Sequence, residues 1–259
     1  MANMKQIRSL MPVSSEGLDE LANDLLKNPV NTDQTNTPNL NVQNNINKSD
    51  YIVIPNTDIL ISREELYKGK TWNDAHYALQ ENGLFMPTPA IFMDYFLKVK
   101  EAEEGKISLN YSDGNPLNKK EAKNLWKYLT TNFDNGCWTW LDSLFKKEKN
   151  KWYIYTDHKV VKKNNNKELA GNKNELEQCL REDAYVTLDF NKQGLPKTRS
   201  SNQNYQQGNN IYFYHPKENS VARFNAYLDR AGLNCVGDPS DSISVLGVFA
   251  CARGSKKND

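Results

Sequence analysis

The feature that most constrains the fold is a change of hydrophobic pattern near Phe133. Upstream of it, three segments carry helix signals, with apolar residues recurring every three or four positions. Downstream, short aromatic and β-branched segments such as "CWTWLDSLF", "KWYIYTDHKVV" and "DAYVTLDF" are separated by polar turns. Because helices precede strands instead of alternating with them, the sequence predicts an α+β fold with helices packed on short antiparallel sheets.

Capping residues locate the starts of the predicted helices. Thr71 precedes the segment "WNDAHYALQEN", and Gly83 follows it as a stop signal. Thr88 precedes "PAIFMDYFLKVKEAEE", in which proline occupies the first turn. Asn118 and Glu121 have the spacing of a capping box. We therefore expect helices to begin directly after Thr71, Thr88 and Asn118.

The first 50 residues differ in texture from the rest of the chain. One short amphipathic helix is predicted near the start, followed by the Asn-rich stretch "NPVNTDQTNTPNLNVQNNINKSD". Such a stretch buries too little apolar surface to offset its ordering entropy. The sequence thus predicts a helix and an arm or linker over 1–50, followed by one domain over 51–259 that begins with two short strands in "YIVIPNTDILI".

Charge and hydropathy narrow the functional classes. The chain has 259 residues, with 33 Lys+Arg against 32 Asp+Glu. This balance argues against nucleic-acid binding that depends on a large net positive charge. No apolar run approaches the roughly 20 residues needed to cross a bilayer, and no secretory signal is visible at the start. We therefore expect no membrane span, and a cytoplasmic location unless the protein is exported or displayed by a partner.

The C-terminal stretch "SVARFNAYLDRAGLNCVGDPSDSISVLGVFACARG" has an unusual composition. Lys, Glu, Gln, Met and Trp account for 60 of the 259 residues, yet the 37 residues between Glu218 and Lys256 contain none of them. The missing types form a recognisable set. When only the adenines of the Asn codons AAC and AAT mutate, the reachable residues include small, apolar, polar and aromatic types, but never those five or a stop codon.

This stretch resembles the variable region of proteins diversified by diversity-generating retroelements, and is most similar to the archaeal, AvpA-like group. The resemblance implies that adenine-directed mutagenic reverse transcription rewrites selected codons of a segment over about 221–253. It also implies that a C-type-lectin-like fold displays the rewritten side chains as a ligand-binding surface. The ending "LGVFACAR" resembles the closing strand of formylglycine-generating-enzyme-like lectin folds, with Val-Phe where that family has Phe-Arg.

The resemblance and the alternating pattern together divide the tail into two sets. The small or apolar set, suited to strands with one buried face, is predicted to be scaffold: Ala222, Phe224, Ala226, Leu233, Cys235, Leu246, Gly247, Val248, Ala250 and Cys251. The predicted exposed, variable, ligand-binding set is Asn225, Tyr227, Leu228, Asp229, Gly232, Asn234, Val236, Gly237, Ser240, Asp241, Ser242, Ile243, Ser244 and Val245. Arg230, Asp238 and Pro239 fit either set, and Asp238-Pro239 is typical of a turn.

The function implied is non-enzymatic binding of a protein or cell-surface ligand, without a cofactor. A metal is also not expected. The three histidines and four cysteines lie far apart in the sequence, without a zinc-binding pattern. Calcium ligands could come from Asp238, Asp241 and Ser242, but mutable positions make unreliable ligands.

Two alternative functions remain open at this point. One is a cysteine-dependent enzyme of formylglycine-generating-like fold, with Cys235 or Cys251 as nucleophile and His158 or His215 as base. The other is a nucleic-acid-binding protein that uses the Lys-rich segment "KKNNNKELAGNK" together with tryptophans such as Trp138. The aromatic residues of the strands are consistent with core positions or with a stacking platform for sugars or bases.

Overall fold

The computed structural model describes residues 50–131, 136–164, 166–227 and 230–254, with only the backbone of Tyr227. All of them belong to one compact unit, Asn41–Asp259. The predicted N-terminal helix and the Asn-rich arm lie outside the described residues, apart from Asp50.

Three helices form where the capping residues predicted them: α1 (Trp72–Glu81), α2 (Pro89–Glu103) and α3 (Lys119–Thr130). The Thr71 hydroxyl accepts a hydrogen bond from the Asp74 amide, and the Thr88 hydroxyl accepts one from the Ile91 amide. Asn118 begins α3 with a complete capping box. These side chains satisfy amides that would otherwise lack a partner, which is why short local signals located the helix starts correctly.

The strands form two sheets, and the predicted α+β class is confirmed. A three-stranded sheet has the order β1-β2-β10 and a seven-stranded sheet has the order β5-β4-β3-β8-β9-β7-β6, with only β7 and β9 parallel among the described pairs. The strand bounds are β1 (Tyr51–Val53), β2 (Ile59–Leu66), β3 (Trp138–Glu148), β4 (Lys151–Lys163), β5 (Asn166–Glu175), β6 (Ala184–Thr187), β7 (Asn210–Tyr214), β8 (Val221–Tyr227), β9 (Arg230–Gly237) and β10 (Val248–Arg253).

Helices α2 and α3 cover one face of the large sheet. Phe224 of β8 lies with its ring centroid 5.0 Å from that of Phe92 and 5.4 Å from that of Phe96, both on α2. Trp126 of α3 packs on Phe96 at 5.1 Å. These rings belong to the main hydrophobic core, which therefore lies between the helices and this face of β8.

Among the described residues, the opposite face of the large sheet is covered only at one end. There Trp140 of β3 joins a second buried cluster with Trp72 of α1, Leu246 and Val248. The Trp140 amide donates to the Gly247 carbonyl at 2.9 Å, so the chain before β10 is held against β3. The two tryptophans of β3 therefore have different environments, since Trp140 is fully buried and Trp138 is half-buried.

Glu65 is a buried acid at the point where β2, β3 and α3 meet. Its side chain accepts hydrogen bonds from the Trp138 amide at 2.9 Å and from the Tyr128 hydroxyl. Burial raises the pKa of Glu65, and only 2% of the residue is exposed. The carboxyl group therefore fixes the first residue of β3 against β2 and α3.

Candidate functional site

The scaffold set predicted in the tail is buried, as expected. All ten residues, from Ala222 to Cys251, are buried. On β8 and β9 they face the main core in register: Phe224 pairs with Leu233, which pairs with Phe213 of β7. Because side chains alternate across a strand, the residues between them must point to the other side of the sheet.

The other side of β8 and β9 forms two rows of paired residues. One row runs from Trp138 through Asn225 and Gly232 to Tyr212 and Tyr185. The second row contains Arg223, Asn234 and Tyr214, next to the covered Trp140. We call the uncovered residues of this side the open face: Trp138, Tyr185, Tyr212, Tyr214, Arg223, Asn225, Arg230 and Asn234. All eight are half-buried, so each offers part of its side chain to solvent.

Arginine and aromatic groups dominate the contacts within the open face. The Arg230 guanidinium lies 4.8 Å from the centroid of the Tyr212 ring, and its Nη2 donates to the Tyr214 hydroxyl at 3.3 Å. The Tyr212 ring meets those of Tyr185 and Tyr214 edge-on, with centroids 4.9 and 4.8 Å apart. Cation–π and edge-to-face contacts of this kind hold the rings in fixed orientations.

Arg223 connects the open face to the loop between β9 and β10. Its guanidinium lies 5.8 Å from the centroid of the Trp138 ring, and its Nη1 lies 3.1 Å from Asp241 Oδ2. Its Nε is buried without a hydrogen-bond partner among the described residues. The sheet and the loop therefore form one continuous surface around Arg223.

The loop over 238–247 is anchored at both ends. The Trp72 amide donates to the Pro239 carbonyl at 3.1 Å, and the Gly69 amide donates to the Leu246 carbonyl at 3.0 Å. The predicted turn is present, since Asp238 Oδ1 accepts from the Ser240 hydroxyl at 2.7 Å and from the Ser240 amide at 2.8 Å. These two hydrogen bonds lower the pKa of Asp238. The backbone of the loop is thus fixed by contacts that do not involve its most exposed side chains.

The loop carries most of the exposed predicted positions. Ser240, Ser242, Ile243 and Ser244 are exposed, and Asp241 and Val245 are half-buried. Ile243 is 41% exposed, and Val161 is the other exposed large apolar side chain among the described residues. The loop therefore offers one apolar group to solvent among short polar residues.

Two predicted exposed positions are wrong, because Gly232 and Gly237 are buried. A Cβ atom on Gly237 would lie 2.9 Å from the Val221 carbonyl oxygen and 3.3 Å from Trp140 Cζ3. A Cβ atom on Gly232 would lie 3.0 Å from the Tyr212 carbonyl oxygen. Gly232 pairs with strands on both sides and Gly237 pairs with Val221 of β8, so the backbone of the neighbouring strands crowds a side chain at either position.

The remaining predicted positions divide into three groups. Asn225 and Asn234 lie on the open face, and Val236 follows on β9 as a half-buried residue whose amide donates to Asn234 Oδ1 at 2.9 Å. The Tyr227 side chain lies outside the described residues, as do Leu228 and Asp229.

The sequence missed several members of the open face. Tyr185, Tyr212, Tyr214 and Arg223 were not predicted as binding residues, and Arg230 was left undecided. The alternation in "AYVT" and "NIYFY" indicates one polar-aromatic face on each strand. It does not indicate that β7 pairs in parallel with β9, and this pairing is what brings the tyrosines beside the tail.

The groups required for a cysteine-dependent enzyme are not assembled. Cys235 and Cys251 are fully buried, and burial raises the pKa of each thiol. His215 lies at the surface, with its Nδ1 2.6 Å from Asp183 Oδ1, and His158 contacts Asp142. A nucleophilic cysteine needs a lowered pKa and some exposure, which neither thiol has.

The Lys-rich segment is a strand hairpin, and three of its four lysines form ion pairs with acids. The predicted loop over 162–173 lies largely in β4 and β5. Lys167 Nζ lies 2.5 Å from Glu81, and Lys173 Nζ lies 2.5 Å from Glu148. These carboxylates offset the positive charge that binding to phosphates would require.

A buried polar cluster lies elsewhere, although the histidines are far apart in the sequence. His76 of α1, Asp142 of β3 and His158 of β4 bring their ligand atoms within 4.8 Å of one another. Burial lowers the pKa of His76 to about 4, although the Asp142 carboxylate opposes the shift. His76 is therefore a neutral imidazole at neutral pH.

A cavity of about 430 Å³ opens near the start of α2, away from the open face. Ala90, Ile154, Asn174 and Gln193 are among its lining residues, and none of the predicted variable positions takes part. The cavity is therefore separate from the surface that the tail forms.

No family model, curated protein or solved structure matches this chain. Within the described residues, none of the helices has the length and apolar character required to span a membrane.

Proposed function

We propose that this protein is a non-enzymatic binding protein with a C-type-lectin-like fold. Adenine-directed mutagenic retrotransfer would diversify its tail over about 221–253, and the altered side chains would decide which protein or cell-surface ligand is held. The proposal joins the composition of the tail to the surface formed by the open face and the 238–247 loop.

The observation that supports the proposal most directly is the separation of buried and solvent-facing residues within β8, β9 and the following loop. The apolar members of the tail lie in the core, whereas Asn225, Asn234 and the exposed loop residues face away from it. The exposed residue types all belong to the set reachable from an Asn codon through its adenines. A protein diversified in this way must keep its stability independent of the residues that change, and this arrangement meets that requirement.

The chemistry of the surface favours binding to a protein. Tyr, Trp and Arg provide large and rigid contact area, and short polar residues beside them provide adaptable hydrogen bonds. Trp138, Tyr212 and Tyr214 lie outside the diversified tail, so they would supply a constant part of the contact. The residues of the tail would then supply the part that differs from one variant to the next.

The order of elements also supports a C-type-lectin-like fold. Two short strands and three helices precede the aromatic strands, and the tail forms two adjacent strands of the large sheet before it closes the small sheet with β10. Helices α2 and α3 cover one face of the large sheet, and α1 covers one end of the other face, so the open face is the part available for display.

A pair of display libraries tests the proposal. The first library varies Asn225, Asn234, Ser242, Ile243 and Ser244 with residues reachable from an Asn codon. We expect most members to keep the protease resistance of the parent, because exposed substitutions each change stability by less than about 0.5 kcal/mol. Selection of the library against streptavidin, as an arbitrary protein target, should yield binders.

The matched library varies the buried partners Ala222, Ala226, Leu233 and Cys235 with the same codons. Most of its members should lose protease resistance, since core substitutions cost about 2–5 kcal/mol. Equal loss of resistance in the two libraries would contradict the proposal. So would streptavidin binders that keep their affinity when all five exposed positions are restored to the parent residues.

A further inference from the structure

We propose that His76, Asp142 and His158 form a buried binding site for a divalent transition-metal ion of the zinc class. This inference is independent of ligand binding at the open face. It also revises the expectation of no metal, which rested on the distance between the histidines in the sequence.

The three side chains come from α1, β3 and β4, where α1 packs against the large sheet. His76, Asp142 and His158 are 1%, 3% and 6% exposed. Asp142 Oδ2 accepts from the His158 amide at 3.0 Å, and Asp142 Oδ1 contacts His158 Nδ1. His76 Nε2 lies 3.5 Å from Asp142 Oδ1. Two imidazole nitrogens and one carboxylate oxygen form a donor set typical of zinc and related metals.

The strongest indication of a missing ligand is at His76. Its Nε2 atom is buried and has no hydrogen-bond partner in the described part of the chain. A buried polar atom without a partner costs about 1–3 kcal/mol, so folded proteins rarely leave one. A metal ion bound to Nε2 would remove this deficiency.

The charge of the cluster points the same way. Asp142 is a buried carboxylate that accepts a hydrogen bond from the His158 amide and contacts His158 Nδ1, while His76 Nε2 approaches it to 3.5 Å without a hydrogen bond. A buried anion requires a compensating charge. A divalent ion would provide that charge.

The spacing of the ligand atoms is close to that of a tetrahedral site. With bonds of about 2.0–2.1 Å to zinc, neighbouring ligand atoms are roughly 3.3 Å apart. The 3.5 Å between His76 Nε2 and Asp142 Oδ1 is already near this value. The three ligand atoms all lie within 4.8 Å of one another.

The surroundings hold both rings in the orientation that a metal needs. The Trp72 ring meets the His76 ring edge-on at 4.3 Å and the His158 ring at 4.9 Å. The Gln80 side chain bonds to the His158 carbonyl at 3.0 Å and to the Val160 amide at 2.7 Å. Gly171 leaves room for the imidazole, since a Cβ atom there would lie 2.5 Å from His158 Nε2. Such outer contacts orient metal ligands in proteins.

Metal binding can be measured on the full chain prepared without a histidine tag and treated with a chelator. Equilibrium dialysis against Zn²⁺ should give one ion per chain. Zn²⁺ at about 100 times its dissociation constant should raise the melting temperature by roughly 5–10 °C. Co²⁺ in place of Zn²⁺ should give the visible absorption of a nitrogen- and oxygen-ligated ion.

Two histidine variants distinguish this site from adventitious binding. His76→Gln should abolish the stoichiometric ion and the thermal shift. His215→Gln should retain both, because His215 is not part of the buried cluster. His215 is a suitable control since it is the third histidine of the chain and forms a similar His–Asp pair at the surface. The wild-type dialysis remains decisive even if His76→Gln does not fold. Absence of a bound ion in the wild type, or full binding by His76→Gln, would overturn the proposal.

Discussion

Replacing Trp140 with alanine should lower the free energy of unfolding by about 3–5 kcal/mol. Trp140 is fully buried among Trp72, Leu246 and Val248, and its indole Nε1 donates to the Lys70 carbonyl at 3.2 Å. Its removal would leave a cavity where α1, the large sheet and the chain before β10 meet. Urea denaturation of Trp140→Ala against the wild type gives this difference directly.

Trp138→Ala is the matched control for Trp140→Ala. The two tryptophans are two positions apart on β3, but Trp138 is half-buried on the open face. Its removal should cost less than half as much stability as the removal of Trp140. Equal losses of stability would mean that Trp138 is as deeply buried as Trp140, and they would contradict the assignment of Trp138 to a solvent-accessible face.

Gly237→Val should destabilise the fold by about 2–3 kcal/mol, because β9 has no room for a side chain at this position. The Val221 carbonyl oxygen, 2.9 Å from the position of the new Cβ atom, belongs to the backbone of β8 and cannot move without disturbing the sheet. The midpoint of urea denaturation should fall accordingly.

Ser242→Val introduces the same side chain into the exposed part of the loop and is the control. It should change stability by less than about 0.5 kcal/mol. If the denaturation midpoint of Gly237→Val equalled that of the wild type, position 237 would tolerate a side chain and would again belong to the predicted variable set. The predicted loss would make Gly237 a fixed position and reduce the number of sites that diversification can use.

Features encoded by neighbouring residues were predictable from the sequence. Thr71, Thr88 and Asn118 cap helices through contacts within three residues, so their role needs no knowledge of the rest of the fold. The buried side of β8 and β9 followed from alternation, which fixes the face of each residue. The α+β class followed from the order of the elements.

Features that depend on distant partners were not predictable. Alternation gave Gly232 the same face as Asn234, but not the neighbouring strands that bury it. Gly237 lies beyond a register shift between β8 and β9, which alternation does not record. The open face depends on the pairing of β7 with β9. The buried cluster depends on contacts of His76 with Asp142, which is 66 positions later in the chain, and with His158, which is 82 positions later. No local pattern records such contacts, because the energy that forms them comes from packing of the whole sheet.

The central claim is that a fixed frame carries side chains that are free to change. Sequencing the coding tail and its flanking DNA in many cells of the source population tests this claim most directly. We predict that substitutions concentrate in the codons for Asn225, Asn234 and the exposed loop residues, while the codons for Ala222 and Leu233 stay constant. A near-copy of the tail that differs at adenines should lie near a reverse-transcriptase gene. A tail that varies no more than the region encoding 51–131, or that varies equally at buried and exposed codons, would contradict the account.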